Sequence, residues 1–203
     1  MNEEKEQIRT PGIWIWLGHE AWELGKVLII SLAIVLPIRY FVAQPFIVRG
    51  ASMEPNFEDR EYLVVDELSY MLRQPRRGEP IVFRYPRDTR EFFIKRIIGL
   101  PGERVELKNG RVHVINKTYP EGFLLEEQYL GPPNRPTRPD VSVILGDGEY
   151  FVLGDNRDAS SDSRVWGVLR RKLVVGRVVF RAWPYDRIGI ISAPFLKADS
   201  PGK

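Results

Sequence analysis

The 203-residue chain contains no cysteine and only two histidines, His19 and His113. Without cysteine, the protein cannot form disulfide bonds, use a thiolate nucleophile or ligate zinc through sulfur. Two histidines are too few for an ordinary zinc site built from imidazole rings. We therefore expect no metal ion and no other cofactor.

Motifs for phosphate, calcium and nucleic acid are also missing. Gly99-Leu100-Pro101-Gly102 lacks the Gly-Lys-Ser/Thr ending of a phosphate-binding loop. The polar run over residues 154–164 lacks the glycine and the glutamate that an EF-hand requires. The net charge is only +3 and no helix-turn-helix candidate is present, so nucleic acid is not an expected partner.

One apolar stretch is long enough to cross a membrane. Residues 27–38 are apolar apart from a serine and a proline, Arg39 interrupts, and residues 40–48 are again mostly apolar. A transmembrane helix needs about 20 residues, and three tryptophans precede the stretch, as aromatic rings often do at the headgroup level. The pattern predicts a transmembrane anchor over residues 24–46, preceded by an interfacial or cytoplasmic segment over residues 1–23.

Two alternatives compete with this anchor. A cleavable signal peptide has an apolar core of about 7–15 residues, but Arg39 and the bulky aromatic residues after it make a poor cleavage site. The other alternative is a buried helix of a soluble protein. Lys5, Arg9 and Lys26 are the only basic residues before the stretch, so charge alone leaves the orientation open.

Glycine and proline are plentiful, with 17 and 16 residues, and β-branched residues are common after Gly50. This composition predicts a mostly β domain of roughly 150 residues, large enough to bury its own core. We assign it to residues 47–190, followed by a loose tail over residues 191–203. Alternating patterns and turn residues predict its strands, with a type I′ hairpin turn at Asn109-Gly110. The predicted strands are 62–65, 81–85, 91–98, 104–107, 111–115, 149–153 and 173–183, and residues 116–140 are predicted to be irregular.

Ser52 and Lys95 are candidates for a nucleophile and its base. A lysine can remove a serine proton only if its pKa falls from about 10.4 toward 7–8, and apolar burial causes such a fall. In a strand, Phe93 and Ile97 share a face with Lys95, which favours burial. A lysine that protects an exposed strand edge fits the local pattern equally well.

The segment over residues 154–164 packs aspartate, asparagine, arginine and serine densely after an apolar strand. Pairing of Asp158 or Asp162 with Arg157 or Arg164 would fix such a loop. This structural role is compatible with a catalytic one.

Taken together, three segments resemble the motifs of type I signal peptidase, the membrane-bound Ser/Lys protease family that trims exported proteins. Gly50-Ala51-Ser52-Met53-Glu54-Pro55 is similar to the serine motif, residues 95–107 to the lysine motif, and residues 154–164 to the third motif. Their order and the preceding hydrophobic stretch also agree. The resemblance runs from residue 27 to residue 184 and is weakest over residues 116–145.

The resemblance implies a role for each matching residue. Ser52 is the nucleophile, Lys95 is the general base, and Ser160 holds the lysine amine in place. The oxyanion hole rests on the Ser52 backbone N–H and lies at Gly50, where some family members have a serine that donates to the oxyanion. Further support for the site comes from Asp155, Arg157, Asp162 and Arg164. An extended substrate lies between Phe46, Val48 and Gly50 on one side and Phe92, Phe93 and Ile94 on the other. Two departures are Asn56, where threonine or alanine is usual, and Ala159, where asparagine is common.

The resemblance also implies a fold and a place of action. The expected fold is a mostly β, signal-peptidase-like catalytic domain preceded by one N-terminal transmembrane helix. The enzyme would lie in the bacterial plasma membrane with its catalytic domain on the extracytoplasmic side. Its partners would be preprotein signal peptides and the lipid bilayer, and it would cleave after small-x-small sequences through an acyl-enzyme. The oligomeric state is left open.

Three other functions share features with this sequence. A self-cleaving Ser/Lys repressor shares the chemistry, but it has a DNA-binding domain and no anchor. A catalytically idle, membrane-anchored binding module would be expected to lose Ser52 or Lys95, and both are present. A Ser/His hydrolase would depend on His113, which lies in the predicted hairpin without a matching motif.

Overall fold

The computed structural model describes residues 13–37, 44–131 and 137–194. Backbone packing divides the chain into two compact units, residues 1–40 and residues 41–203.

The described part of the first unit is one helix, α1 (Ile13–Pro37). Large apolar side chains from Trp22 to Val35 are exposed on it. In the parts of the chain that the structure describes, none of the helices is both long and apolar enough for a membrane crossing. Residues 38–43 of the predicted anchor lie outside the described residues. Residues 44–46 form part of a β-strand, so the helical segment does not extend to the predicted boundary.

The described part of the second unit contains twelve strands, two short α-helices and three single-turn 3₁₀ helices. The strands are β1 (Gln44–Ile47), β2 (Tyr62–Asp66), β3 (Pro80–Tyr85), β4 (Asp88–Gly99), β5 (Arg104–Lys108), β6 (Arg111–Ile115), β7 (Phe123–Leu124), β8 (Val141–Ile144), β9 (Glu149–Leu153), β10 (Leu169–Arg170), β11 (Val174–Trp183) and β12 (Gly189–Ile190). The α-helices are α2 (Ser69–Leu72) and α3 (Ser163–Trp166).

These strands form two antiparallel sheets. The larger sheet has the order β1-β2-β11-β3-β4-β9-β10, with β12 paired to β11, and the smaller has the order β7-β6-β5-β8. The mostly β fold is therefore confirmed. Each predicted strand is present: β6 and β9 have the predicted ends, and the ends of the other five are shifted by one to three residues. The segment predicted to be irregular contains β7.

The hairpin between β5 and β6 has the predicted turn. Asn109 and Gly110 have φ angles of 53° and 77°, which is the pair of positive values that a type I′ turn needs. These two residues tolerate positive φ better than others because glycine has no Cβ and asparagine can bond to its own backbone.

Three clusters of buried apolar side chains hold the second unit together. One joins the smaller sheet to β9, a second lies under α2 and α3, and a third anchors the turn after β1 to β2, β3 and β11. Strand β4 pairs with β3 on one side and β9 on the other. Its C-terminal half is therefore buried, which places a residue such as Lys95 out of water.

Candidate active site

Ser52 lies in the turn that follows β1. Its neighbour Met53 and the nearby Phe57 are fully buried in the third apolar cluster, and the Phe57 backbone N–H donates to the Met53 carbonyl oxygen at 2.9 Å. These two apolar side chains fix the turn to the core. Ser52 itself is half-buried and lines a groove on the surface of the unit.

Lys95 lies in the buried half of β4, opposite Ile81 of β3. Only 3% of its surface is exposed, so the alternative of an exposed, edge-protecting lysine does not hold. Its Nζ lies 2.7 Å from Ser52 Oγ and 2.8 Å from the Ile94 carbonyl oxygen. The structure thus brings the two predicted catalytic residues into hydrogen-bond distance although 43 positions separate them.

Burial lowers the pKa of Lys95 to about 8. The low-polarity surroundings destabilise the ammonium form more than the neutral amine. The carboxylates of Asp162 and Asp155 act in the opposite direction and keep the pKa from falling further. With this pKa, about a tenth of the amine is neutral at pH 7, and the neutral amine is the form that acts as a general base.

The loop over residues 154–164 supports this pair through ion pairs. Asp155 binds Arg96, the residue after Lys95, at 2.8 Å and 2.5 Å. Asp162 binds Arg164, with both Nε and Nη2 of the guanidinium at 2.8 Å from its carboxylate oxygens. Asp162 also accepts the Gly154 backbone N–H at 3.0 Å. Burial raises the pKa of Asp162, but these bonds outweigh that effect and hold the pKa below its usual value. The bond from Arg164 contributes most to the lowering.

Two predicted supports differ from expectation. Ser160 Oγ is buried and makes no hydrogen bond to Lys95 in the described part of the chain. The carbonyl of Ile94 takes that place beside the amine. The Gly50 backbone N–H donates to Asp59 Oδ1 at 2.8 Å, so Gly50 supplies no free donor to the expected oxyanion hole, and the Ser52 backbone N–H stays the predicted donor.

Arg157 is bound on the other side of the loop. Its guanidinium contacts Glu127 and Thr137, and its Nη2 lies 3.1 Å from the Tyr129 hydroxyl oxygen. Burial lowers the pKa of Arg157, but the effect of Glu127 outweighs it and the pKa is raised overall. This pair connects the loop to the segment that contains Glu127 and Tyr129.

A groove of about 860 Å³ leads away from Ser52 and Lys95. All six predicted substrate-binding residues line it, and the rings of Phe46 and Phe92 lie 5.5 Å apart across it. Charged side chains of Arg49, Arg90 and Glu91 also line it. The exposed edge of β1 and the run of β4 before Lys95 form its two sides, so an extended chain has backbone groups to pair with on both.

Several residues that contact the site were not predicted from the sequence. Asp59, Glu127 and Tyr129 carry no local motif, and they reach the site only through tertiary folding. Arg96 lies inside the lysine motif but had no assigned role. Asn56 was noted only as a departure from the family pattern. No group of histidine, aspartate and glutamate suited to a metal ion occurs within the described residues.

The fold and the site together define a class of protein, a mostly β hydrolase in which a buried lysine amine faces a serine hydroxyl at the head of a groove. A family model described as "Signal peptidase, peptidase S26" matches residues 21–183. The chain belongs to this family of serine peptidases.

Curated relatives agree with this assignment. The chain is 36% identical to a probable signal peptidase I-2 of Synechocystis over 198 residues, covering 95% of this chain and 84% of the relative. It is 40% identical to a signal peptidase I of Leptolyngbya laminosa over 178 residues, covering 83% of each. A solved signal peptidase I of Enterococcus faecalis is 32% identical, with a TM-score of 0.44 over 52% of this chain and 97% of that one.

Proposed function

We propose that this peptidase removes signal peptides from exported preproteins, with Ser52 as nucleophile and Lys95 as general base. The observation that carries the proposal is the 2.7 Å distance between Lys95 Nζ and Ser52 Oγ, with a lysine pKa of about 8. The names of the curated relatives support the same substrate class.

The proposed reaction uses one base twice. The neutral amine of Lys95 takes the Ser52 proton as Oγ attacks the scissile carbonyl, and the Ser52 backbone N–H stabilises the oxyanion. The Lys95 ammonium then gives its proton to the leaving amine, which produces an acyl-enzyme. Lys95, neutral again, takes a proton from the water that attacks the ester and finally returns it to Ser52.

The proposed substrate is an extended peptide that pairs with the groove edges. The apolar lining between Phe46, Val48 and Gly50 and between Phe92, Phe93 and Ile94 supports shallow pockets for small side chains one and three residues before the cut. A peptide in extended conformation suits this shape because a helix is too wide for a cleft between two strand edges.

The first test uses the purified full chain and a preprotein with an Ala-x-Ala site. We expect cleavage directly after the second alanine, checked by sequencing the N-terminus of the product. Ser52→Ala and Lys95→Ala should both abolish it. Lys108→Ala is the matched control, because Lys108 is exposed at the end of β5. An intact preprotein with folded wild-type enzyme would support the idle binding module instead.

We also propose that the N-terminal segment anchors the enzyme in the plasma membrane, with the catalytic unit on the extracytoplasmic side. The exposed apolar side chains of α1, from Trp22 to Val35, support this because water is an unfavourable environment for such a surface. The test is extraction of membranes with alkaline carbonate. The full chain should stay with the lipid, and replacing Ile29, Ile30 and Ile34 by serine should release it.

A further inference from the structure

Asn56 connects the serine turn to the third motif. Its Nδ2 donates two hydrogen bonds, one to Asp155 Oδ2 at 2.9 Å and one to the Tyr129 carbonyl oxygen at 2.8 Å. Its own backbone carbonyl accepts from Arg181 of β11. Asn56 is therefore held to the large sheet by its backbone and to the loop over residues 154–164 by its side chain.

Asp155 is the common partner of the serine turn and the lysine strand. Its carboxylate binds Arg96, which directly follows Lys95, and the same Oδ2 that accepts from Arg96 accepts from Asn56. The Asp155 side chain has an exposed fraction of only 1%. Because the carboxylate is shielded from solvent, no water competes for it and the geometry of each hydrogen bond is retained.

A second bond closes a ring beside the nucleophile. The Asn156 backbone N–H donates to the Ser52 carbonyl oxygen at 3.1 Å. The ring runs from Ser52 along its own turn to Asn56, across to Asp155, along one peptide to Asn156 and back to Ser52. Asn56 is the side chain that completes it.

We propose that Asn56 is a positioning residue that fixes the Ser52 turn against Asp155 and so keeps Ser52 Oγ within reach of Lys95. This inference rests on the proposed function, since it assigns Asn56 a task in the Ser52–Lys95 reaction. Both amide hydrogens of Asn56 are in use, so a replacement residue needs two donors at this distance to make the same pair of bonds. Asn56 touches neither Ser52 Oγ nor the groove, and it acts through the turn.

The first experiment compares Asn56→Ala with the wild type in preprotein cleavage. Loss of the link lets the serine turn move, and a misplacement of about 1 Å is enough to reduce the rate of the chemical step by up to about 100-fold. We expect kcat to fall by about 10- to 100-fold and KM to change less than about threefold, because Asn56 is not among the residues that line the groove.

Asn116→Ala is the matched control. Asn116 is also half-buried, its Nδ2 donates to Glu103 Oε1 at 3.0 Å, and its Oδ1 accepts two backbone N–H groups. Removing it also deletes several hydrogen bonds, but at a distance from the proposed catalytic pair. We expect a lower melting temperature with kcat per folded molecule unchanged, which separates a positioning effect from a general loss of stability.

Asn56→Asp tests the pH dependence of cleavage, which would not change if Asn56 had a purely structural role. Aspartate has nearly the shape of asparagine, but it places a second carboxylate against Asp155 and donates nothing when ionised. Because protonation of one carboxyl relieves the repulsion and restores a donor, the ratio of mutant to wild-type kcat/KM should rise as the pH is lowered from 8 to 6. Asn56→Ala should show a ratio that is constant over the same range.

The outcomes discriminate between the two proposals. If the wild type leaves the preprotein intact, the proposed function fails. If the wild type cleaves and Ser52→Ala does not, but Asn56→Ala and Asn56→Asp both retain wild-type kcat and pH dependence, the positioning role is wrong. An equal loss of kcat per folded molecule in Asn116→Ala would also overturn the positioning role.

Discussion

The Arg96 guanidinium and the Asp155 carboxylate form an ion pair that is buried directly behind Lys95. Their side chains have exposed fractions of 4% and 1%, with Nε–Oδ1 and Nη2–Oδ2 distances of 2.8 Å and 2.5 Å. The guanidinium also lies 4.3 Å from the centre of the Tyr129 ring and donates to the Gly78 carbonyl oxygen. The pair links β4, which contains Lys95, to the loop that contains Asp162.

This pair should be costly to break from one side only. Arg96→Met leaves the Asp155 carboxylate buried without its cation, and we expect a loss of about 3–5 kcal/mol in the free energy of unfolding. The double variant Arg96→Met/Asp155→Leu should lose less, because no unpaired charge remains. Urea unfolding of the full chain in detergent measures both. Arg90→Met, which removes a pair with Asp88 at the surface, should change the stability little, and an equal loss there would contradict the explanation.

The pH dependence of cleavage should follow the titration of Lys95. Because the base is the neutral amine and its pKa is about 8, kcat/KM should rise about tenfold per pH unit below pH 8 and level off above it. The measurement is single-turnover cleavage from pH 6 to pH 10. An acid limb with its midpoint near the ordinary lysine value would show that Lys95 is not desolvated as described.

Lys95 should also lower the stability of the fold. Its folded-state pKa of about 8 lies below the reference value of 10.5, so the folded protein binds this proton more weakly than the unfolded chain does. The resulting destabilisation is complete below pH 8, decreases as the pH rises toward 10.5 and is absent above it. The shift corresponds to about 3 kcal/mol at most.

Lys95→Met tests this cost directly, because methionine fills a similar volume without a charge. We expect the variant to be inactive and to be more stable than the wild type by about 1–3 kcal/mol at pH 7. The difference should disappear at pH 10.5, which urea unfolding at the two pH values measures. A variant that is less stable at pH 7 would show that the amine contributes more through its hydrogen bonds than it loses by desolvation.

The sequence predicted the β-strands well because their alternation and turn residues are local. The sequence was less informative where an apolar run is compatible with either a helix or a strand. The apolar pattern predicts that residues 44–46 belong to the anchor, but in the structure they pair with β2. A short apolar run does not distinguish a helix from a strand. The partner strand lies about 20 residues away, so nothing in the run itself indicates the pairing.

The same distinction holds at the site. Ser52 and Lys95 were predicted from motifs, and the alternation of Phe93 and Ile97 around Lys95 correctly indicated burial. Glu127 and Tyr129 fall in the segment predicted to be irregular, and they reach the site only through Arg157, Arg96 and Asn56. Irregular segments are positioned by such tertiary bonds rather than by periodicity, so a sequence pattern gives no signal for them.

Gly154 offers the sharpest test of how the third motif packs on the serine turn. A Cβ at this position would overlap the Ser52 carbonyl oxygen and Ser160 Oγ. Backbone atoms do not yield as a flexible side chain does, so Gly154→Ala has to push the Ser52 turn away. We expect a loss of at least about 100-fold in kcat per folded molecule, from displacement of the nucleophile by about 1 Å or more.

Gly176→Ala is the matched control, because its Cβ would lie 2.6 Å from the Asp66 carbonyl oxygen on β2. The overlap is of the same kind, with a backbone oxygen, but it lies between β11 and β2 and not at Ser52. We expect Gly176→Ala to lower the yield of folded protein and to leave kcat per folded molecule near the wild-type value. Counting folded molecules by near-UV circular dichroism before the cleavage assay separates the two effects. If Gly154→Ala retained wild-type kcat per folded molecule, the contact between Gly154 and the Ser52 turn would not be needed for catalysis.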